Sequence, residues 1–276
     1  MTWPAIWAIV RKDLASVIRN RGVRIPLLIT PVIILVFLPI LLVGGGGILA
    51  GSGVVPTDAV GASPLDRITD PSLQERYISE VPPAARWAMF VLEVFLAPLF
   101  LLVPLVVATV IAADSFAGER ERGTLEALLH TPTRDRELIL AKFLAAWLPA
   151  VTVAWVGFAV YSVLANLLAW RWVGRVFFPN PTWLVLAFWV APAVSALGLG
   201  VMVIASSRVQ TLQAAHQIGS LVVLPVILLL VAQISGVLLF DVTRVALMGA
   251  AIWLLAGAIL QMGAGSLRRA RLAERI

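Results

Sequence analysis

Long apolar runs alternate with short polar segments along the whole chain. Six of the runs approach or exceed the roughly 20 residues that an α-helix needs to cross a bilayer. We predict them as spans at residues 26–49, 87–113, 143–169, 184–205, 218–240 and 245–266. The pattern therefore predicts an all-α integral membrane protein with six transmembrane helices, in one transmembrane domain that covers residues 1–276.

A further helix is predicted before the first span, at residues 4–20. Its apolar positions recur every three or four residues: Trp3, Ile6, Trp7, Val10, Leu14 and Val17. This spacing gives a helix with one apolar face, which suits a helix lying in the membrane interface. Its basic residues fit equally well with a simple cytoplasmic anchor for the first span.

Composition and charge give the topology. The chain is 61% hydrophobic and 13% charged, whereas soluble domains are nearer 45–50% apolar. Fifteen Arg and Lys residues lie on the side of the two termini and six on the other side, so both termini are predicted to be cytoplasmic, with an external loop at residues 50–86. Because the basic residues follow the span boundaries, we predict a multi-pass protein of the cell membrane and no nucleic-acid partner. The excess of Arg over Lys is typical of a GC-rich bacterial genome.

The residues that carry enzyme chemistry are missing or isolated. There is no cysteine and no G-x-x-x-x-G-K-[ST] motif, and the glycine run at residues 44–47 has no lysine after it. His130 and His216 have no second metal ligand or nucleophile at a suitable spacing. We therefore predict no catalytic, cofactor or metal site in this chain.

The polar segment between the second and third spans carries more information than a simple loop. Residues 114–142, DSFAGERERGTLEALLHTPTRDRELILAK, hold six acidic and five basic side chains. Gly123 breaks a helix, Thr124 can cap a new one, and three leucines share one face of it. The segment thus predicts a short amphipathic helix set crosswise between two spans. It either docks a protein partner or is a solvated loop helix.

This segment closely resembles the cytoplasmic segment of ABC-2 type transporter permeases. That family carries a run of the type F-x-x-E-[RK]-E-x-G-[TS]-x-E-x-L-L-x-[TS]-P and a later lysine, which here are residues 116–132 and Lys142. The segments RKDLASVIRNRG, SSRVQTLQAAHQIGSLVVLP and SLRRARLAERI resemble its N-terminal helix, the lead into its fifth span and its charged tail. The external loop is similar to that of the sodium-, lipid- and drug-exporter branch.

The resemblance implies a permease subunit of an ATP-binding cassette exporter. Such permeases pair as homodimers or heterodimers in membrane lipid and sit on cytoplasmic ATPase subunits, which bind ATP and Mg, so this chain would need no cofactor itself. Segment 114–142 would contain the coupling helix. The residues that would meet the ATPase are Glu119, Arg120, Glu121, Arg122, Gly123, Thr124, Leu125, Glu126, Leu128, Leu129 and Pro132. Two alternatives remain: an intramembrane lipid-modifying enzyme and a secondary transporter.

A few polar side chains are predicted at membrane depth. Glu93 is the one acid inside a predicted span; it lies either at the outer interface, near Arg86 or Arg171, or in a path for substrate or ions. Gln233 and Gln261 either hydrogen-bond between helices or line that path. The apolar interior favours a lipid-like or hydrophobic drug-like cargo, and Glu93 leaves an ion open.

Overall fold

The computed structural model describes residues 3–44, 86, 88–118, 121, 135–209, 211–234 and 241–266. These residues form helices and no β-strand, and six helices are long and apolar enough to cross a membrane. The all-α fold with six spans is therefore confirmed. In chain order, the first to sixth spans are Arg21–Gly44, Phe90–Gly118, Glu137–Val173, Pro181–Ser206, Gln213–Gln233 and Val242–Gly263.

The second and third spans reach further into the polar segment than hydropathy predicts. The second span continues through Asp114 to Gly118, and the third-span helix begins at Asp135. Asp114 and Glu137 are buried in these extensions. The sequence pattern predicts Glu93 as the single acid within a span, but the structure places Asp114 and Glu137 within spans as well. Charged residues lie inside these helix ends because protein packs around them.

An α-helix at Trp3–Arg19 precedes the first span and packs on the protein. Ile6 and Val10 are buried against Ala141 and Ala145 at the start of the third span. The predicted apolar face is therefore used partly for contact with the bundle. Trp3, on the same predicted face, is 63% exposed.

The second span is the centre of the bundle. In its most apolar stretch 78% of the residues are buried, against 17% in each of the first, fifth and sixth spans. The third, fourth and fifth spans all pack against it. Any movement of the second span must therefore involve several of its neighbours.

The spans differ in how regular their helices are. The third-span helix, Asp135–Val173, stays α-helical through Pro149. The second span contains π-helical turns at Phe90–Phe95 and Asp114–Gly118, and the fourth contains one at Leu186–Val190. The fifth span consists of two helices, Leu212–Leu221 and Leu224–Ile234, separated by a turn. These irregular positions mark candidate sites of function or movement.

Candidate functional site

A buried polar cluster joins three helices at one end of the bundle. We call this the basic end: there the first span begins, the second ends and the third begins. The Lys142 ammonium donates to the Ser115 carbonyl at 2.8 Å, lies 4.0 Å from an Asp13 carboxylate oxygen and sits over the Phe116 ring. Lys142 and Asp13 are only 2% and 4% exposed. Burying such charges is costly unless they are paired, so the cluster fixes how the three helices meet.

The N-terminal helix brings Asp13 to this cluster. Ile6 and Val10 pack on Ala141 and Ala145. Because Lys142 directly follows Ala141, this packing places the N-terminal helix beside Lys142. Lys12 also approaches Asp13, at 3.4 Å, but is 57% exposed. The contacts of Asp13 in the described residues thus include one buried and one exposed ammonium group.

Asn20 makes a second link at the same end. Its side-chain oxygen accepts from the Gly22 N–H at 3.0 Å and so caps the helix that starts the first span. Its side-chain nitrogen donates to the Asp114 carboxylate at 3.0 Å. The start of the first span is therefore tied to the end of the second.

The cluster lies where the predicted coupling segment joins the second and third spans. We call these two junctions the roots of the segment. Of the residues predicted to meet the ATPase, Glu121 is helical and exposed; all the others lie outside the described residues. The structure does place the two ends of the segment: Ser115 and Phe116 on one side and Lys142 on the other are in contact. The described helices therefore hold both roots of the segment against the N-terminal helix.

Glu93 lies near the opposite end of the second span, in the π-helical turn Phe90–Phe95. Its side chain is only 5% exposed, so it lies within the bundle and not at an open surface. Two carbonyls of this turn accept hydrogen bonds from neighbouring spans: the Tyr161 hydroxyl donates to Leu92, and the Trp183 indole N–H donates to Glu93 at 3.0 Å. The third and fourth spans therefore fix the backbone that carries this acid.

The two glutamines predicted for the substrate path lie at different places. Gln233 is buried near the end of the fifth span, and its side-chain oxygen has no hydrogen-bond partner among the described residues. The helix that carries it packs on the Phe90–Phe95 turn. Gln261 lines an apolar groove of about 380 Å³ at the basic end, between the second, third, fourth and sixth spans. The structure thus brings the helices of Glu93 and Gln233 together and separates Gln261 from them.

Several of these residues were not found by sequence reasoning. Asp13 falls in step with Val10 and Val17, so an acid on the apolar face of the N-terminal helix was the available signal. Tyr161, inside an apolar run, was a comparable signal. Asp114 falls just past the second predicted span, in the polar segment 114–142. The described residues contain no group of three His, Cys, Asp or Glu placed to hold a metal ion.

Comparison with known proteins gives one finding. A family model described as ABC-2 family transporter protein matches residues 7–243, which include the polar cluster, the coupling segment and Glu93. A search of curated proteins gave no match.

Proposed function

The chain belongs to the ABC-2 transporter family, and we propose that this multi-pass permease component of an ABC transporter exports its substrate with ATP hydrolysed by a separate cytoplasmic ATPase. The resemblance found in the coupling segment is thereby confirmed. ATP and Mg would bind the ATPase, and two permease copies would complete the assembly.

The polar cluster at the basic end is the observation that carries the proposal. A coupling helix transmits force only if its two roots are held rigidly to the spans. Here the Lys142 ammonium joins the root that ends the second span to the root that starts the third, with Asp13 of the N-terminal helix beside it. Such an arrangement supports a device that passes ATPase movement into the second and third spans.

Glu93 supports a transport path near the opposite end of the second span. A carboxyl group inside a membrane span is expensive and usually serves function. Its helix packs against the part of the fifth span that carries the buried Gln233. We infer that these two spans border the path, and that a largely apolar cargo crosses there.

Assembly with an ATPase is the first test. We expect no ATP hydrolysis from the purified chain and hydrolysis after addition of its cytoplasmic ABC ATPase. Leu128→Asp should release the ATPase in a pull-down, because each buried leucine contributes roughly 1.5–3 kcal/mol. The matched control is Ala127→Asp, which the helical period places away from the three leucines.

Two results would contradict this proposal. The first is hydrolysis by the chain alone. The second is equal retention of the ATPase by the Leu128→Asp and Ala127→Asp variants, since a solvated loop helix would tolerate both.

Topology provides an independent prediction. The chain has no cysteine, so single cysteines can be placed freely. With the basic end inside, an impermeant thiol reagent on intact cells should label cysteines at positions 63 and 176 and spare one at position 131 until the cells are opened. Val176 is chosen because it is 72% exposed, whereas Asn180 in the same loop is buried. Labelling of position 131 alone on intact cells would show that the chain has the opposite orientation.

A further inference from the structure

The apolar groove that Gln261 lines at the basic end lies outside the proposed transport path. We call it the basic-end groove. Buried residues of the second and fourth spans form its floor: Phe116, Leu199 and Val203. Partly exposed residues of the third and sixth spans form its sides, among them Leu140 and Leu260. The groove is therefore a cleft between the third and sixth spans, which both pack against the fourth.

The groove lies at the depth of one lipid leaflet. Ile139 of the third span and Gln261 of the sixth lie two residues inside the ends of their spans, and Leu199 lies seven residues inside its own. At 1.5 Å per residue, the groove extends from about 3 Å to about 10 Å along the spans. Half of the hydrocarbon core of a bilayer is about 15 Å thick. Lipids of the leaflet at the basic end therefore surround this groove.

The size of the groove decides between two apolar occupants, a helix and an acyl chain. One turn of an α-helix with its side chains is about 5.4 Å long and 10–12 Å across, so it takes up roughly 420–610 Å³. The groove holds about 380 Å³, so a helix of a second copy does not fit within it. A single acyl chain is thinner than a helix and is apolar along its length.

The following segment of this chain is a poor occupant for the same groove. Residues 267–276 include four arginines and one glutamate. Placing such charges against apolar side chains is costly unless each charge is paired. The lining of the groove therefore favours a lipid chain over this segment.

Gln261 adds a polar group where the groove meets the end of the sixth span. Among the described residues that line the groove, Gln261 alone is polar, and its side chain is exposed. Its amide can donate hydrogen bonds to a carbonyl oxygen. In a glycerophospholipid an ester carbonyl stands at the head of each acyl chain. The rim of the groove thus matches the polar start of the chain, and its floor matches the apolar remainder.

The floor of the groove also belongs to the polar cluster. The Lys142 ammonium lies 5.2 Å from the centroid of the Phe116 ring, beside Asp13 and Ser115. An acyl chain in the groove would pack against the same ring. Its binding would therefore support the ring on which Lys142 rests.

We propose that the basic-end groove binds one acyl chain of a membrane glycerophospholipid, that Gln261 donates to the ester carbonyl of this chain, and that the bound lipid stabilises the polar cluster through Phe116. The proposal goes beyond the proposed function, because it requires only that the chain is embedded in a bilayer. Neither an ATPase nor transport is needed to test it.

Photo-crosslinking of the full chain in detergent micelles tests the site. The probe is a phosphatidylcholine with a diazirine in one acyl chain; its headgroup has no net charge, so basic surface residues do not attract it. Mass spectrometry maps the adducts to residues. Detergent dilutes the lipid around the spans, so adducts on exposed surfaces should rise in proportion to the lipid added. Adducts on Ile139, Leu140 and Leu260 should saturate instead.

A matched pair of tryptophan variants locates the binding. Ile139→Trp places a large ring in the groove and should lower the saturable adducts on Leu260 about tenfold. Val163→Trp adds the same side chain to the same helix, about 36 Å away at a position that is 63% exposed, and should change these adducts by no more than about twofold. Added lipid should raise the midpoint of thermal aggregation of the wild-type chain and of Val163→Trp, but not of Ile139→Trp.

Gln261→Leu tests the hydrogen bond at the rim. Because Gln261 is exposed, the variant should fold and keeps the test decisive even if Ile139→Trp does not fold. The lipid concentration that half-saturates the groove adducts should rise about two- to tenfold, the effect of losing one hydrogen bond.

Three results would overturn the lipid site. They are groove adducts that never saturate, equal behaviour of Ile139→Trp and Val163→Trp, and half-saturation of Gln261→Leu at the wild-type lipid concentration. If Ile139→Trp instead converts dimers to monomers in size-exclusion chromatography and leaves the adducts unchanged, the groove is a contact between two copies. Failure of the proposed function gives a different result, since ATP hydrolysis with the ATPase would be absent while the lipid adducts still saturate.

Discussion

Replacing Lys142 with methionine is expected to destabilise the chain by about 3–5 kcal/mol, because the change leaves the buried Asp13 carboxylate without its buried cationic partner. The Ser115 carbonyl loses its donor as well. The midpoint of thermal aggregation in detergent, followed by size-exclusion chromatography, measures the change. ATP hydrolysis in the assembled complex should fall with it, since the roots of the coupling segment separate.

Lys12 supplies a matched control, because it approaches the same carboxylate from the solvent side. It lies 3.4 Å from Asp13 but is 57% exposed. Lys12→Met should therefore cost only about 0–1 kcal/mol. If the two methionine variants are equally mild, the cluster does not hold the helices together. Adding Asp13→Leu to Lys142→Met should recover part of the lost stability, since it removes the buried carboxylate that has lost Lys142.

The helices and their burial were predictable where a single local pattern decides them. Runs of apolar residues gave six spans. The three-to-four-residue period placed Ile6 and Val10 on one apolar face, and in the structure these two residues pack on Ala141 and Ala145. The partner of Asp13 was not predictable in this way. Lys142 lies far from Asp13 in the sequence, and no local sequence pattern indicates that these two charged side chains are in contact.

The π-helical turns were hidden from sequence reasoning for a related reason. Hydropathy reports that residues 90–118 are apolar enough to cross a membrane, and it does so equally for an α-helix and a π-helix. The carbonyls of the turn around Glu93 accept hydrogen bonds from Tyr161 of the third span and Trp183 of the fourth. The sequence singles out Glu93 as an unusual acid within a span, but its burial depends on the packing of the third and fourth spans around it. The ATPase contacts proposed for the coupling residues, Glu121 included, stay a prediction.

Trp183→Ala is expected to destabilise the chain by about 3–5 kcal/mol, the usual cost of emptying a large aromatic site in a packed core. The Trp183 side chain is 1% exposed. It contacts four rings, with centroid distances from 5.0 to 6.3 Å: Phe100, Phe158, Tyr161 and Phe178. The same aggregation midpoint measures the loss.

A second tryptophan separates core filling from hydrogen bonding. Trp189 in the same span also donates its indole N–H to a backbone carbonyl, that of Ala246 at 3.2 Å, but the side chain is 45% exposed. Trp189→Ala should therefore cost much less than Trp183→Ala, although each removes one bond. Interhelical hydrogen bonds in membranes are worth on average about 0.6 kcal/mol. Equal losses of stability would show that the hydrogen bond accounts for most of the effect of each substitution. The ring cluster beside Glu93 would then contribute little to the packing of the helices.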